Sequence, residues 1–353
     1  MKQILNILRG WSWLMLLALL AGCSNDSDEP EPPQPENPKQ SFPLTIEVEE
    51  NPMIPEGVRS VGTRAAITTT SSLEAFNMSY VYGTAEPGSV SASKNEEGKW
   101  SGGDWPNDAA LNNYNVNWYA YTSYTSDTGS AQFVGNDGNP YIDFTVDGDV
   151  ANQHDLLVAQ TSGTYAGTGG NLKLTFDHVC SALRLFIKKS TNLSAYTLNV
   201  SEVKLCNIVN HARYTYGTGW TDLSTSPVNY TLFSGSEQNI QALMENLGST
   251  DYIAMDGDQT DNEATHNYLF MIPQTLVAWT PSATGAITDY AYLKVKCTLT
   301  NTSTNPSTVV VNNDYVYIPF AATFLQGVQH DVKINIGQNS LYNSNGTKIF
   351  NNN

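Results

Sequence analysis

Positive charge is scarce in this chain: 17 Lys and Arg stand against 34 Asp and Glu among 353 residues, a formal net charge of −17. A surface of that sign repels phosphate backbones and anionic headgroups, so neither nucleic acid nor an acidic membrane surface is an expected partner. Cysteine is scarcer still. Cys23 lies near the start, and Cys180, Cys206 and Cys297 are widely spaced, an odd remainder that defines no disulfide framework. Catalytic signatures are missing too, with no H-E-x-x-H, no G-x-S-x-G and no phosphate-cradling glycine loop ahead of a helix. His154, His178, His211, His266 and His330 lie far apart along the chain. The expectation is a protein that is not an enzyme and carries no cofactor.

Long apolar runs are also lacking, and the stretch Trp11 to Leu20 is too short to span a bilayer. What surrounds it is informative. Lys2 and Arg9 form a positive leader, and Leu20-Ala21-Gly22-Cys23 supplies small residues before a cysteine, the arrangement of a lipoprotein signal. Residues 1–22 read as signal peptide, with Cys23 as the lipidated first residue of the exported chain. Two or more acyl chains, at about 0.8 kcal/mol per buried methylene, make a durable anchor. Residues 23–41 begin acidic (Asp26, Asp28, Glu29) and turn Pro-rich, an extended tether with too little apolar surface to fold.

Phe42, Leu44, Ile46 and Val48 alternate with Pro43, Thr45, Glu47 and Glu49, the period of a half-buried strand. Pro43 argues for a sheet edge. From Asn51 to Thr63 the alternation stops, and Pro52, Pro55, Gly57 and Gly62 surround Arg59 and precede Arg64. An exposed Arg in such a connector is open to an Arg-selective protease.

Downstream the pattern is β almost throughout. Candidate strands are Phe76–Gly83, Asn117–Tyr124, Tyr141–Val146 and Asp155–Gln160, then a second group from Leu172 to Ile336. Their Thr, Tyr and Val content, with turn residues about every ten positions, indicates β-sandwiches. Glu237 to Leu247 alone has helical periodicity, through Ile240, Leu243, Met244 and Leu247. The expected division runs 42–64 for the removable strand and connector, 65–168 and 169–337 for two β domains, and 338–353 for a tail. Asp256, Asp258, Asp261 and Glu263 could offer oxygen ligands to Ca²⁺, but their spacing departs from the EF-hand loop, and a solvated acidic loop is the plainer reading. Trp100, Trp105, Trp118, Tyr119, Tyr121 and Tyr124 crowd one region, either as core or as a platform for sugar stacking.

Several stretches together resemble the fimbrillin family, the type V pilins of Bacteroidetes-type bacteria and their relatives. They are Lys99-Trp100-Ser101 leading to Trp105-Pro106, Val116 to Tyr121, Asp155 to Ala159, Leu174 to Leu183, and Phe324 to Gly327 ahead of Val332 to Ile336. The acidic run after Cys23 is similar to the signal that directs lipoproteins of these bacteria to the outer face of the outer membrane. The resemblance implies an all-β fold of two tandem transthyretin-like (Greek-key) sandwiches and a structural role. It also implies cleavage after an Arg, with Arg64 before Ala65 the best fit and Arg59 the second, and polymerisation with other fimbrial subunits by donor-strand exchange. Removing a strand such as Phe42–Val48 would expose a groove that an extended segment of a neighbour can fill.

The tail, with Leu341, Tyr342, Ile349 and Phe350, is the candidate donor, although these residues do not alternate across Asn343 to Thr347. Packing on its own domain is the competing reading. Two rivals to the pilin stand beside it: a surface lipoprotein that keeps its lipid and binds glycan or a host protein, and a fimbrial anchor that keeps its first strand.

Overall fold

The structure is a computed structural model describing residues 40–55, 73, 75–123, 129–135, 139–240, 252–254, 268–281 and 290–350. Ser41–Asn353 form one compact unit. Its elements are almost all strands. The first ten are β1 (Pro43–Glu50), β2 (Ile54–Pro55), β3 (Ala75–Val81), β4 (Gly88–Lys94), β5 (Trp100–Asp104), β6 (Val116–Tyr121), β7 (Ser130–Val134), β8 (Tyr141–Thr145), β9 (Leu157–Gly163) and β10 (Asn171–His178). Two short helices join them, α1 (Asn107–Leu111) and α2 (Tyr165–Thr168).

Seven of these strands close into a barrel in the order β1-β10-β9-β6-β3-β4-β5. β1 runs parallel to β10, with Thr45 opposite Asn171 and Glu50 opposite Phe176, and antiparallel to β5, with Ile46 opposite Trp100. The expected edge strand is therefore paired on both sides and closes the barrel. Pro43 does not prevent this, because it is the first strand residue, where a missing N–H is tolerated. The barrel interior buries Phe42, Leu44, Ile46, Met78, Trp105, Trp118, Leu172, Leu174 and Phe176. β4 and β5 escape a reading by hydrophobic alternation: Ser-Val-Ser-Ala-Ser in β4 buries only Ala92, and Gly102 is the one buried residue of β5.

The remaining strands are β11 (Ser181–Lys189), β12 (Tyr196–Ile208), β13 (His211–Thr215), β14 (Gly219–Thr221), β15 (Val228–Asn239), β16 (Ile253–Ala254), β17 (Leu269–Met271), β18 (Thr275–Leu276), β19 (Tyr292–Asn301), β20 (Thr308–Pro319), β21 (Ala322–Thr323) and β22 (Val328–Ile336). They build sheets ordered β16-β11-β22-β2, with β17 also on β11, β15-β12-β19-β20 and β14-β13-β8-β7, and the pair β18-β21. Their inward faces share a second, larger apolar cluster that includes Phe144, Leu185, Ile187, Val203, Tyr230, Val295 and Ile318.

Two expectations need correction. The division between residues 168 and 169 cuts the wrong connection. β10 lies beyond it yet belongs to the barrel, whereas β7 and β8 lie before it yet pair with β13 and send Ile142 and Phe144 into the larger cluster. Alternation marks a strand but does not say which neighbour it pairs with. The helix expected from Glu237 starts later, since β15 continues to Asn239, paired with Asn199 of β12, and helical backbone begins at Ile240. Ile240 follows it and is buried, and residues 241–247 lie outside the described residues.

Candidate functional site

The residues with functional promise converge on β1 and the slot it fills. Its inward side chains Phe42, Leu44 and Ile46 are buried, and Val48 is half-buried. The Phe42 ring meets Tyr165 edge-on at 5.1 Å, and the Phe42 carbonyl accepts from the Trp105 backbone N–H at 2.7 Å. Gly102 leaves room in the middle of the slot: a Cβ there would lie 3.0 Å from Leu44 Cδ2 and 3.1 Å from both Ile46 Cδ1 and Met78 Cε. Gly170 secures the other flank. At φ +81° it turns its carbonyl to the Thr45 N–H at 3.0 Å and the Trp105 indole N–H at 3.3 Å, and a Cβ would sit 2.8 Å from the Pro43 carbonyl oxygen. Only glycine meets both demands.

The outward face of β1 is held by polar pairs on β10. Asn171 donates to Glu47 at 2.8 Å, and Lys173 meets Glu49 at 2.7 Å. Just past the strand, Asn51 donates from its backbone to the Phe176 carbonyl at 2.8 Å and from its side chain to Asp177 at 2.7 Å. The same segment then reaches the larger cluster, where Met53 is buried, and β2 pairs in parallel with β22, Ile54 opposite Val328.

Glu50 occupies the inward parity of β1, where an acid is out of place. Its Oε1 lies 3.1 Å from Nε2 of His178 at the end of β10, and Nδ1 of the same ring meets Asp155 ahead of β9. The His178 side chain is 1% exposed, Asp155 5% and Glu50 23%. Burial alone would push the imidazole pKa down, but hydrogen bonds and charge from Asp155 and Glu50 outweigh it and raise it from 6.5 to about 9. The ring is therefore a cation linking two acids at neutral pH. Beside it, burial pushes the Cys180 thiol well above its usual range, helped by the Asp155 charge, so that thiol stays neutral.

This triad carries a pH signature. A histidine whose folded pKa is raised stabilises the fold fully below its unfolded pKa of 6.5, and that contribution disappears as pH rises through about 9. The shift corresponds to about 3 kcal/mol. The thermal midpoint should thus fall between pH 6 and pH 10 by several degrees more in the native chain than in His178→Asn. Parallel pH curves for the two proteins would contradict the triad.

The described members of the aromatic group pack against apolar neighbours. Trp105 and Trp118 are buried inside the barrel with their rings edge-on at 5.2 Å, and Trp100 packs against Phe76. From the other face of β6, Tyr119 meets Tyr216 at 5.0 Å and Tyr121 stacks on Phe133. The strand has an apolar neighbour on each side, which is why both parities are aromatic. Tyr124 lies outside the described residues, as do Cys23, Arg59, Arg64, Ala65 and the acidic group Asp256, Asp258, Asp261 and Glu263.

In the tail, Leu341 is fully buried in the larger cluster, and Ile349 and Phe350 pack against that cluster. The break in alternation is a turn: Asn343 accepts from the backbone N–H groups of Asn345 and Thr347, Gly346 sits at φ +75°, and Tyr342 bridges Lys348. Tyr342 also exchanges backbone hydrogen bonds with Tyr317 of β20, at 2.9 and 3.1 Å.

The family model described as Fimbrillin-like matches residues 62–349. The chain belongs to the fimbrillin-like family. Among solved structures, this fimbrillin-like chain is similar to a fimbrial protein from Bacteroides vulgatus at 17% identity, with a TM-score of 0.50 over 83% of this chain and 96% of that one. It is also similar to a candidate cell adhesion protein from Bacteroides ovatus at 12% identity, with a TM-score of 0.47 over 86% and 95%. The first likeness supports the fold. A search of curated protein sequences finds no match. The family match begins at residue 62, so β1, the slot-filling strand of this fimbrillin-like protein, lies ahead of it.

Proposed function

We propose that the protein is a subunit or accessory component of a cell-surface fimbrium, exported as a lipoprotein through Cys23, matured by cleavage after Arg64 and assembled by donor-strand exchange at the outer membrane. The observation that carries this reading is the position of β1. It completes a closed barrel from a segment that precedes the family-matched region, and Arg59 and Arg64 lie in the stretch of chain between that segment and β3. Cutting that stretch makes the strand a separate peptide held only by non-covalent contacts.

Those contacts explain why cleavage would come first. Burying Phe42, Leu44 and Ile46 contributes on the order of 5 to 9 kcal/mol before chain entropy is subtracted. While the strand is tethered, its local concentration keeps the slot filled against any competitor. Once it is cut and lost, β5 and β10 expose unpaired backbone groups and an apolar groove that an extended segment of another subunit can occupy. Replacing Arg64 and Arg59 together by alanine should therefore yield a folded precursor without SDS-resistant ladders. Ladders equal to those of the native chain would refute the proposal, and an unladdered native chain would favour the anchor reading.

A further inference from the structure

We propose, resting on the strand-exchange reading above, that the β1 slot selects its occupant by a carboxylate at the Glu50 position, and that its proper occupant is an acidic strand from a subunit of different sequence. In a strand of this register, positions 42, 44, 46 and 48 point inward with apolar side chains, and position 50 points inward with an acid. That acid is met by Nε2 of His178, 3.1 Å away, on a ring that is 1% exposed and whose other nitrogen is already engaged by Asp155. The groups facing the ring are thus Asp155 from the segment before β9 and Glu50 from β1, and the neutral Cys180 thiol beyond β10 interacts with Asp155.

When β1 leaves, Asp155 and His178 remain in the barrel, and the Nε2–H points into the vacated slot. A replacement with an apolar side chain at this position would bury that donor without an acceptor, which costs more than a water-exposed loss. A carboxylate restores the charge-assisted hydrogen bond. Glu47 and Glu49 add pairings to Asn171 and Lys173, but these lie on the exposed face, where such contacts weigh little. The slot therefore asks for one acid at one inward position.

This chain's own tail does not supply it. Residues 338–353 contain no Asp or Glu, and Lys348 is their only charged side chain. As a donor for a second copy, the tail would offer no side-chain carboxylate to His178. The fitting neighbour presents an alternating apolar strand with an acid four residues beyond the position equivalent to Ile46.

The test uses the full-length chain cleaved after Arg64, with labelled synthetic peptides competing against the resident segment and bound label read after size exclusion. The peptides are residues 41–55 in native sequence, the same with Glu50→Gln, the same with Glu49→Gln, and residues 338–353. The native and Glu49→Gln peptides should enter with similar affinity, Glu50→Gln about tenfold or more weakly, and the 338–353 peptide more weakly still. On a His178→Gln chain the gap between native and Glu50→Gln should close. If that variant does not fold, the peptide series on the native chain decides alone. Equal entry of the native and Glu50→Gln peptides into the native chain overturns the carboxylate rule while leaving strand exchange standing, and full entry of the 338–353 peptide overturns the conclusion about the neighbour. If the native peptide does not enter at all, strand exchange itself fails and the rule fails with it.

Discussion

A Leu44→Asp chain should lose most of its stability. Leu44 is 1% exposed near the start of β1, against Gly102 and in the same cluster as Phe176. Truncating a leucine in such a site costs about 2 to 5 kcal/mol, and an aspartate adds the penalty of a polar group with no partner. At about 2 to 4 °C per kcal/mol, the thermal midpoint should drop by roughly 10 °C or more. Glu47→Gln, on the exposed face of the same strand, should shift it by no more than a degree or two. If both substitutions leave the midpoint unchanged, β1 is not part of the folded precursor and the slot has no meaning as a site.

Deleting residues 341–353 should destabilise the chain by a comparable amount. Leu341 alone is fully buried, and burying such a side chain contributes about 1.5 to 3 kcal/mol. The deletion also removes the Tyr342 bridge to β20, the edge-on contacts of Tyr342 with Trp279 and of Phe350 with Tyr196, and the packing of Ile349. A fall in midpoint of about 6 °C or more is expected from these losses together. A midpoint within a degree of the native chain would mean that the tail contributes no packing energy and is free to act elsewhere. In that case the polymer ladder of the same truncated protein becomes the informative measurement, since a free tail that serves as donor takes polymerisation with it when removed.

The strands of this protein are more legible in its sequence than their partners are. Phe42 to Val48 and Leu172 to Phe176 alternate strictly, and each is a strand with the expected face buried, whereas Leu198 to Leu205 alternates on either side of a slip at Ser201-Glu202, where the register shifts. Pairing was harder to read, because β1 and β10 lie over a hundred residues apart and nothing in either records the parallel register that joins them. β4 and β5 are hard to see for a different reason: they bury only Ala92 and Gly102, of which Gly102 leaves room for Leu44 and Ile46, and so lack the buried bulky side chains that announce a strand. The triad had a signal that was available but incomplete. Glu49-Glu50 breaks the alternation and places an acid on the buried parity, which marks an unusual position without naming His178 and Asp155 as the reason for it.

The claim that β1 closes the barrel of a precursor and is absent from the assembled subunit is tested most directly by the mass and N-terminal sequence of protein recovered from surface polymers. The expected result is a chain beginning at Ala65, without lipid and without residues 42–55. A polymerised chain that begins with a lipidated Cys23 and retains Phe42 to Val48 would contradict it.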